Sequence, residues 1–374
     1  MPTMDLHSKP FSEETLTKLS IFENYAKAWI PTFVMTKWCF EMNVFDFFAG
    51  TGYDKNGIAG SPIRILTQIS EQIGNIFKTR KRIVIYFNEL DNNKYNSLTV
   101  SCSEYINSNL QLKRCFDAGF LKIIYSNKKC EEIFDEYLEK MKKNPSLVYL
   151  DQNGVKFLAD KYFSRIIQCH TVDFLYFISS SYFFRFGNTE EFKEILDIDL
   201  HNARENPYKY IHLYILQKLR EKIPITSKTR LYPFTIKKGA NIYGIIFGAS
   251  HPRAVDKFLD ITWKTNPING NANFDIDDDK SKETSPDLFG NVEYTKIQNF
   301  QEIVKTKILS GELKTNKDVY LFSLENGHIP KHSEEIIKQM KKDNLIKYKE
   351  KSPLINYQQV FQNNRIISYE IEQI

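Results

Sequence analysis

Three acids in this chain lie at or near the ends of apolar runs, where the tips of buried strands would present them to a ligand. Asp46 lies in Val44-Phe45-Asp46-Phe47-Phe48-Ala49-Gly50-Thr51-Gly52, Glu89 follows the run Arg82 to Phe87, and Asp151 directly follows Leu147-Val148-Tyr149-Leu150. The first run ends in Gly-x-Gly, whose glycines reach backbone angles closed to other residues and leave no side chain between main chain and ligand. A strand, a tight glycine turn and an acid at the next strand's tip together make a nucleotide-binding crevice, with the second acid accepting hydrogen bonds from ribose hydroxyls. Gly50 and Gly52 would admit the ligand, Glu89 would hold its ribose, and Asp46 would hold the loop amides or a polar end of the ligand. Asp151 could bind the reacting group or take its proton. It reads equally as a helix cap beside the turn Asn153-Gly154.

Arg185, between Tyr182-Phe183-Phe184 and Phe186, could hold a phosphate or stack on a base, while burial is the commoner fate of the aromatics around it. His251 reads as a cap to the helix after it, or as a base. None of His170, His201, His212, His328 or His332 has metal-ligand company, and no metal is expected. Asp275, Asp277, Asp278 and Asp279 fail as a calcium loop, because Lys280 and Pro286 stand where the glycine and the final acid are needed.

The elements that must position these residues alternate strand and helix. Ser12 to Phe33 has the apolar spacing of a helix, with Ser12 as its cap and Pro31 at its end. Ser61-Pro62 reads as a cap and first helical position, which sets a helix's positive end against the glycine turn. Asp91 caps a helix from Asn92 towards Asn109, Leu121 to Tyr125 is a third strand, and Cys130 to Met141 is a helix. Leu147 to Leu150 and Val172 to Ile178 are further strands. Such alternation implies a parallel sheet covered on both faces. Arg230 to Ile236 and Ile242 to Phe247 read instead as an antiparallel pair. Asn266 to Gly290 breaks all periodicity. Beyond it, Gln301 to Leu309, Lys317 to Leu324 and Ser333 to Asp343 read as helices, and Leu345 to Lys349 and Ile366 to Ile371 as a hairpin. Three helices and a hairpin make a winged helix. The expected fold is α/β, a Rossmann-like, mostly parallel sheet with an antiparallel terminal pair, and a C-terminal winged-helix-like domain. The expected boundaries are 1–265 for the sheet domain, 266–295 for a linker and 296–374 for the tail.

The chain has 374 residues, 42% hydrophobic and 26% charged, with a net charge of +5, so charge alone announces no nucleic-acid partner. The local basic patch does more: Lys338, Lys341, Lys342, Lys347 and Lys349 surround the end of the third tail helix and the first wing strand, and could meet DNA or RNA phosphates. Glu334, Glu335, Asp343 and Glu350 dilute them, and a protein-interaction role fits the tail as well. The five cysteines are scattered without a Cys-x-x-Cys pair, as expected of buried thiols in a reducing compartment. No apolar run approaches the ~20 residues that span a bilayer, so no membrane partner is expected and a cytoplasmic location is.

DFFAGTG at 46–52 resembles the first motif of Rossmann-like S-adenosylmethionine-dependent methyltransferases. The order KLSIFENYAKAWIPTF, DFFAGTG with GSP at 60–62, FNELD, SYFFRF and FGASHPRAVDKFLDITWK resembles the three-Cys-motif partner (TcmP) family, and the winged-helix-like tail fits it too. The resemblance implies a methyltransferase-type domain with S-adenosylmethionine as cofactor, Asp46, Gly50, Gly52 and Glu89 at the cofactor, and Asp151 with Arg185 facing the substrate. It also implies a three-cysteine-motif partner protein and a setting in bacterial defence. Asp151-Gln152 departs from the Asp-Pro of such chains. The functions left open are methyl transfer to nucleic acid or a nucleotide, a non-catalytic adaptor that binds nucleic acid or the partner, and cleavage of nucleotide or nucleic acid on the same fold.

Overall fold

The computed structural model describes residues 10–151, 156–179, 207–238, 241–284 and 293–372. The chain packs as two units, Met1–His251 and Pro252–Ile374. In the first, seven strands form one sheet: β1 (Glu41–Asp46), β2 (Arg82–Asn88), β3 (Leu121–Ser126), β4 (Ser146–Leu150), β5 (Val172–Ser179), β6 (Arg230–Lys238) and β7 (Asn241–Ala249). Their order is β3-β2-β1-β4-β5-β7-β6. β1 to β5 pair in parallel, while β7 runs antiparallel between β5 and β6. The expected sheet and its antiparallel pair are therefore both present. After β3 the chain returns to the other side of β1, and this reversal opens a crevice at the carboxyl ends of β1 and β4.

Every residue of β4 and β5 is buried, as a sheet covered on both faces requires. One face carries Phe45, Tyr86, Val148 and Tyr176 against α6 (Cys130–Lys143), α7 (Asp160–Ile167) and the helix Pro207–Glu221. On the other face lies α1 (Glu13–Val34), whose Leu19, Phe22, Tyr25, Ala26 and Trp29 are buried at the spacing read from the sequence. Phe22 stacks on Tyr149 with ring centres 4.3 Å apart, and the Tyr25 hydroxyl donates to the buried Asp173 carboxylate of β5 at 2.7 Å. Ser12 is the N-cap residue, as expected. Pro31 does not end the helix: it removes its own N–H donor but keeps its carbonyl, which accepts from the Met35 amide at 3.0 Å. All five cysteines are buried and unbridged.

In the second unit, the helices Pro252–Thr265, Lys296–Leu309, Asn316–Glu325 and Pro330–Lys342 precede an antiparallel ladder of β8 (Ile346–Lys347) and β9 (Glu370–Ile371). This is the expected winged helix, with a ladder shorter than the apolar runs implied. Lys296–Leu309 starts five residues before the expected helix, fixed by a capping box between Thr295 and Gln298. The division into units and the expected boundary after residue 265 differ by the helix Pro252–Thr265. The Trp263 indole in that helix donates to the Gly327 carbonyl at 2.9 Å. Buried Asn316 ties the tail together, donating to the carbonyls of Leu354 and Arg365 and accepting from the Ile367 amide.

Gly248 of β7 faces Phe174 of β5, and a Cβ there would lie 2.0 Å from the ring. Phe174 is itself fully packed, so Gly248→Ala should cost about 1–3 kcal/mol, with part of the loss restored by Phe174→Leu. Thermal melts of the two variants and their combination test this. Equal stability of Gly248→Ala and wild type would show that the ring moves aside freely.

Candidate functional site

β1 delivers Asp46 to the rim beside Phe87 of β2 and Tyr149 of β4. Its side chain is 1% exposed. One carboxylate oxygen accepts from the Phe48 amide at 3.1 Å and the other from the Ser61 hydroxyl at 2.6 Å. Burial pushes its pKa up to about 7; the two donors oppose that rise, and the negative charge of Asp151 adds to it.

The glycine turn follows. Gly50 and Gly52 both hold positive φ, 68° and 89°, a conformation that a side chain resists. At Gly52 a Cβ would also come within 2.8 Å of the Ser101 Cβ, on α4 (Asn92–Ser108). Close packing of turn on helix thus demands that glycine. The Gly50 amide donates to Glu89 Oε2 at 3.0 Å, and the Asp91 amide to Glu89 Oε1, also at 3.0 Å. Glu89 is thereby held against the turn, with its remaining lone pairs available. Asp91 caps α4 through the Lys94 amide, as expected.

α2 (Ser61–Ser70) starts against the turn: its N-cap is Gly60, whose amide donates to the Gly52 carbonyl at 2.7 Å. The expected cap, Ser61, is one residue inside the helix, because its hydroxyl is taken by Asp46. The pattern Ser-Pro signals a helix start correctly but cannot reveal a buried acid fifteen residues earlier.

Asp151 emerges from β4 onto the same rim and accepts from the Lys18 ammonium at 2.9 Å. Lys18 comes from α1 and lies over the Phe177 ring, 4.4 Å from its centre. Lys18 opens the stretch KLSIFENYAKAWIPTF, but nothing in that stretch gives it a site role. Its one signal is its place on the helix, four, seven and eleven residues before Phe22, Tyr25 and Trp29, on the stripe that must be buried. Arg185 lies outside the described residues, as do Gln152, Asn153 and Gly154. Among the described residues, no cluster of three or more His, Cys, Asp or Glu could hold a metal ion, and no helix is long and apolar enough to cross a membrane.

The tail lysines occupy distinct surroundings. Lys338 pairs with Glu334 at 2.6 Å, and Lys347 pairs with Glu372. Lys341 donates to the Tyr348 and Glu350 carbonyls, both at 2.9 Å, and covers the Tyr348 ring. It ties the third helix to the first wing strand. Lys342 and Lys349 are exposed.

The strand order with β7 reversed and the glycine turn after β1 define the first unit as a Rossmann-like sheet of the methyltransferase type. The second unit is a winged helix, and residues 274–353 match the family described as the GMT-like wHTH domain. No curated protein matches the chain. Among solved structures, the chain is similar to a candidate O-methyltransferase from Klebsiella pneumoniae (8% identity over 64% of this chain and 90% of that one, TM-score 0.32). It is also similar to cofactor-bound Rv0187 from MTB (9%, 64% and 90%, 0.31) and to the DszA carbon methyltransferase (11%, 63% and 54%, 0.33). At these scores the fold assignment rests on strand order and register.

Folded Asp46 keeps a proton that the unfolded chain releases near its ordinary value of 3.8. Its contribution to stability is therefore full below about pH 4 and is lost as pH rises through about 7. Asp46→Asn should flatten this fall by on the order of 1 kcal/mol per pH unit. Asp173, also raised to about 7 by burial, would keep its own share. Urea unfolding across that range decides the matter: an unchanged slope in Asp46→Asn would mean that the buried acid ionises as if in water.

Proposed function

We propose that this protein binds S-adenosylmethionine in the crevice at Asp46, Gly50 and Glu89, and serves methyl transfer on a nucleic-acid or nucleotide-bearing substrate. The meeting of Glu89 with the glycine turn carries this reading. A ribose diol needs a fixed acceptor beside open backbone, and the Gly50 and Asp91 amides fix Glu89 in that position. The donor would supply an electrophilic methyl group on a positively charged sulfur, and the neighbouring acids suit that charge. Asp151 would face the acceptor. The winged helix would contact nucleic acid, and the resemblance to the TcmP family adds a three-cysteine-motif partner and a place in bacterial defence. One observation favours a second reading, a non-catalytic adaptor: the acid that should face the substrate is engaged by Lys18.

Calorimetry with S-adenosylmethionine tests the first reading. Wild type should bind, Gly50→Val should not, and Glu89→Gln should bind about 10–100-fold more weakly. No heat from wild type at millimolar ligand would remove the cofactor. Transfer of labelled methyl by wild type and its loss in a cofactor-binding Asp151→Asn variant would separate catalyst from adaptor.

For the tail, affinity for DNA or RNA should fall steeply with salt. Lys342→Ala with Lys349→Ala should shrink the log–log slope by roughly 1 for each phosphate that is no longer neutralised. Lys341→Ala should instead loosen the wing, lowering the melting temperature. An unchanged slope in the double variant would assign the tail to protein contact.

A further inference from the structure

Lys18 is the only basic residue among the buried positions of α1. An apolar residue of similar volume would bury there at less cost, since an ion pair out of water seldom repays its desolvation. The surroundings of its ammonium are those of a bound ligand. Asp151 accepts from it at 2.9 Å, the Phe177 ring centre lies 4.4 Å away, and the two charged side chains are 8% and 17% exposed. A carboxylate on one side and an aromatic face on the other is the chemistry that holds alkylammonium groups. The place matters as much as the partners. Asp151 stands at the carboxyl end of β4, beside β1, near enough for its charge to act on Asp46.

We propose that Asp151 and Phe177 form an acceptor subsite built for a primary alkylammonium group, and that Lys18 fills it as a tethered stand-in which an incoming amine displaces. The cation site stands on contacts alone; only its use in methyl transfer rests on the function proposed above. In that use the amine must first lose a proton, to Asp151 or to water. Its lone pair then forms the C–N bond as the C–S bond of the sulfonium breaks, leaving a neutral thioether and a dialkylammonium product that carries the positive charge. The methyl acceptor in that use is an amine nitrogen, which replaces the nucleic-acid or nucleotide acceptor considered above. That amine is either free or a lysine side chain of a partner protein.

Lys18→Ala removes the equivalent of n-propylammonium, so that ion is the probe. Thermal melts would compare wild type, Lys18→Ala and Lys18→Ala with Asp151→Asn in propylammonium chloride, in potassium chloride of equal strength and in propan-1-ol. The expected result is a saturable rise of about 2–4 °C for the single variant with propylammonium alone. Should the single variant not fold unaided, recovery of folded protein only when propylammonium is present is the same result. A lysine-containing peptide, against one with norleucine in its place, tells a polypeptide source from a small amine. An equal rise with potassium chloride or propan-1-ol, a rise that persists in the double variant, or no effect of either amine would overturn the proposal. Calorimetry with S-adenosylmethionine on the same proteins reports separately: amine binding without cofactor binding leaves the cation site and removes methyl transfer.

Discussion

A carboxylate out of water must be given donors or give up its charge, and Asp46 sets that condition at the centre of the first unit. Its two donors come from the main chain just beyond β1 and from the first turn of α2. Meeting them fixes the strand end, the direction of the turn and the start of the helix in one step. The remaining contacts follow from that placement. With α2 brought in, the Gly60 amide reaches the Gly52 carbonyl; with the turn held, the Gly50 amide reaches Glu89. Gly52 must then lack a side chain because α4 closes over it.

The other anchor is α1, which is held to the sheet by groups of different chemistry along its length. Lys18 meets Asp151, Phe22 meets Tyr149, and Tyr25 meets Asp173. These reach β4 and β5, on the far side of the crevice from the Asp46–Glu89 pair. The same helix that closes the core therefore also supplies Lys18 to the rim beside Asp151.

What could be read from the sequence was local. Strands β1 to β7 announce themselves by apolar runs, the Asp91 cap by its place before a helix, and the glycine turn by Gly50 and Gly52. The short helices α3 (Ile73–Thr79) and α5 (Leu110–Asp117), and α7, escaped because each runs only about two turns. What failed in the site was the partner of a correctly placed residue. Ser61 and Lys18 were legible as helix residues, but their bonds reach 15 and 133 positions along the chain, and no local pattern encodes such a pairing. Lys341 shows the same limit in the tail. Its charge suggests a phosphate contact, and no local pattern shows that its ammonium also donates to two main-chain carbonyls of the wing.

The rim acids also differ in what they still demand. Glu89 has two amide donors, and Asp151 has an ammonium. Asp46 has neutral donors only, and the negative charge of Asp151 raises its pKa further while Lys18 lowers it. Any cation brought near Asp46 would favour its ionised form, releasing a proton near neutrality, and would bind more tightly for doing so. A neutral ligand would gain nothing from the ionisation of this acid. Displacing Lys18 from Asp151 without replacing its charge would make Asp46 harder to ionise, because the two carboxylates repel. The electrostatics of the rim thus favour positive charge near both Asp46 and Asp151, and disfavour both acids ionised with no cation between them.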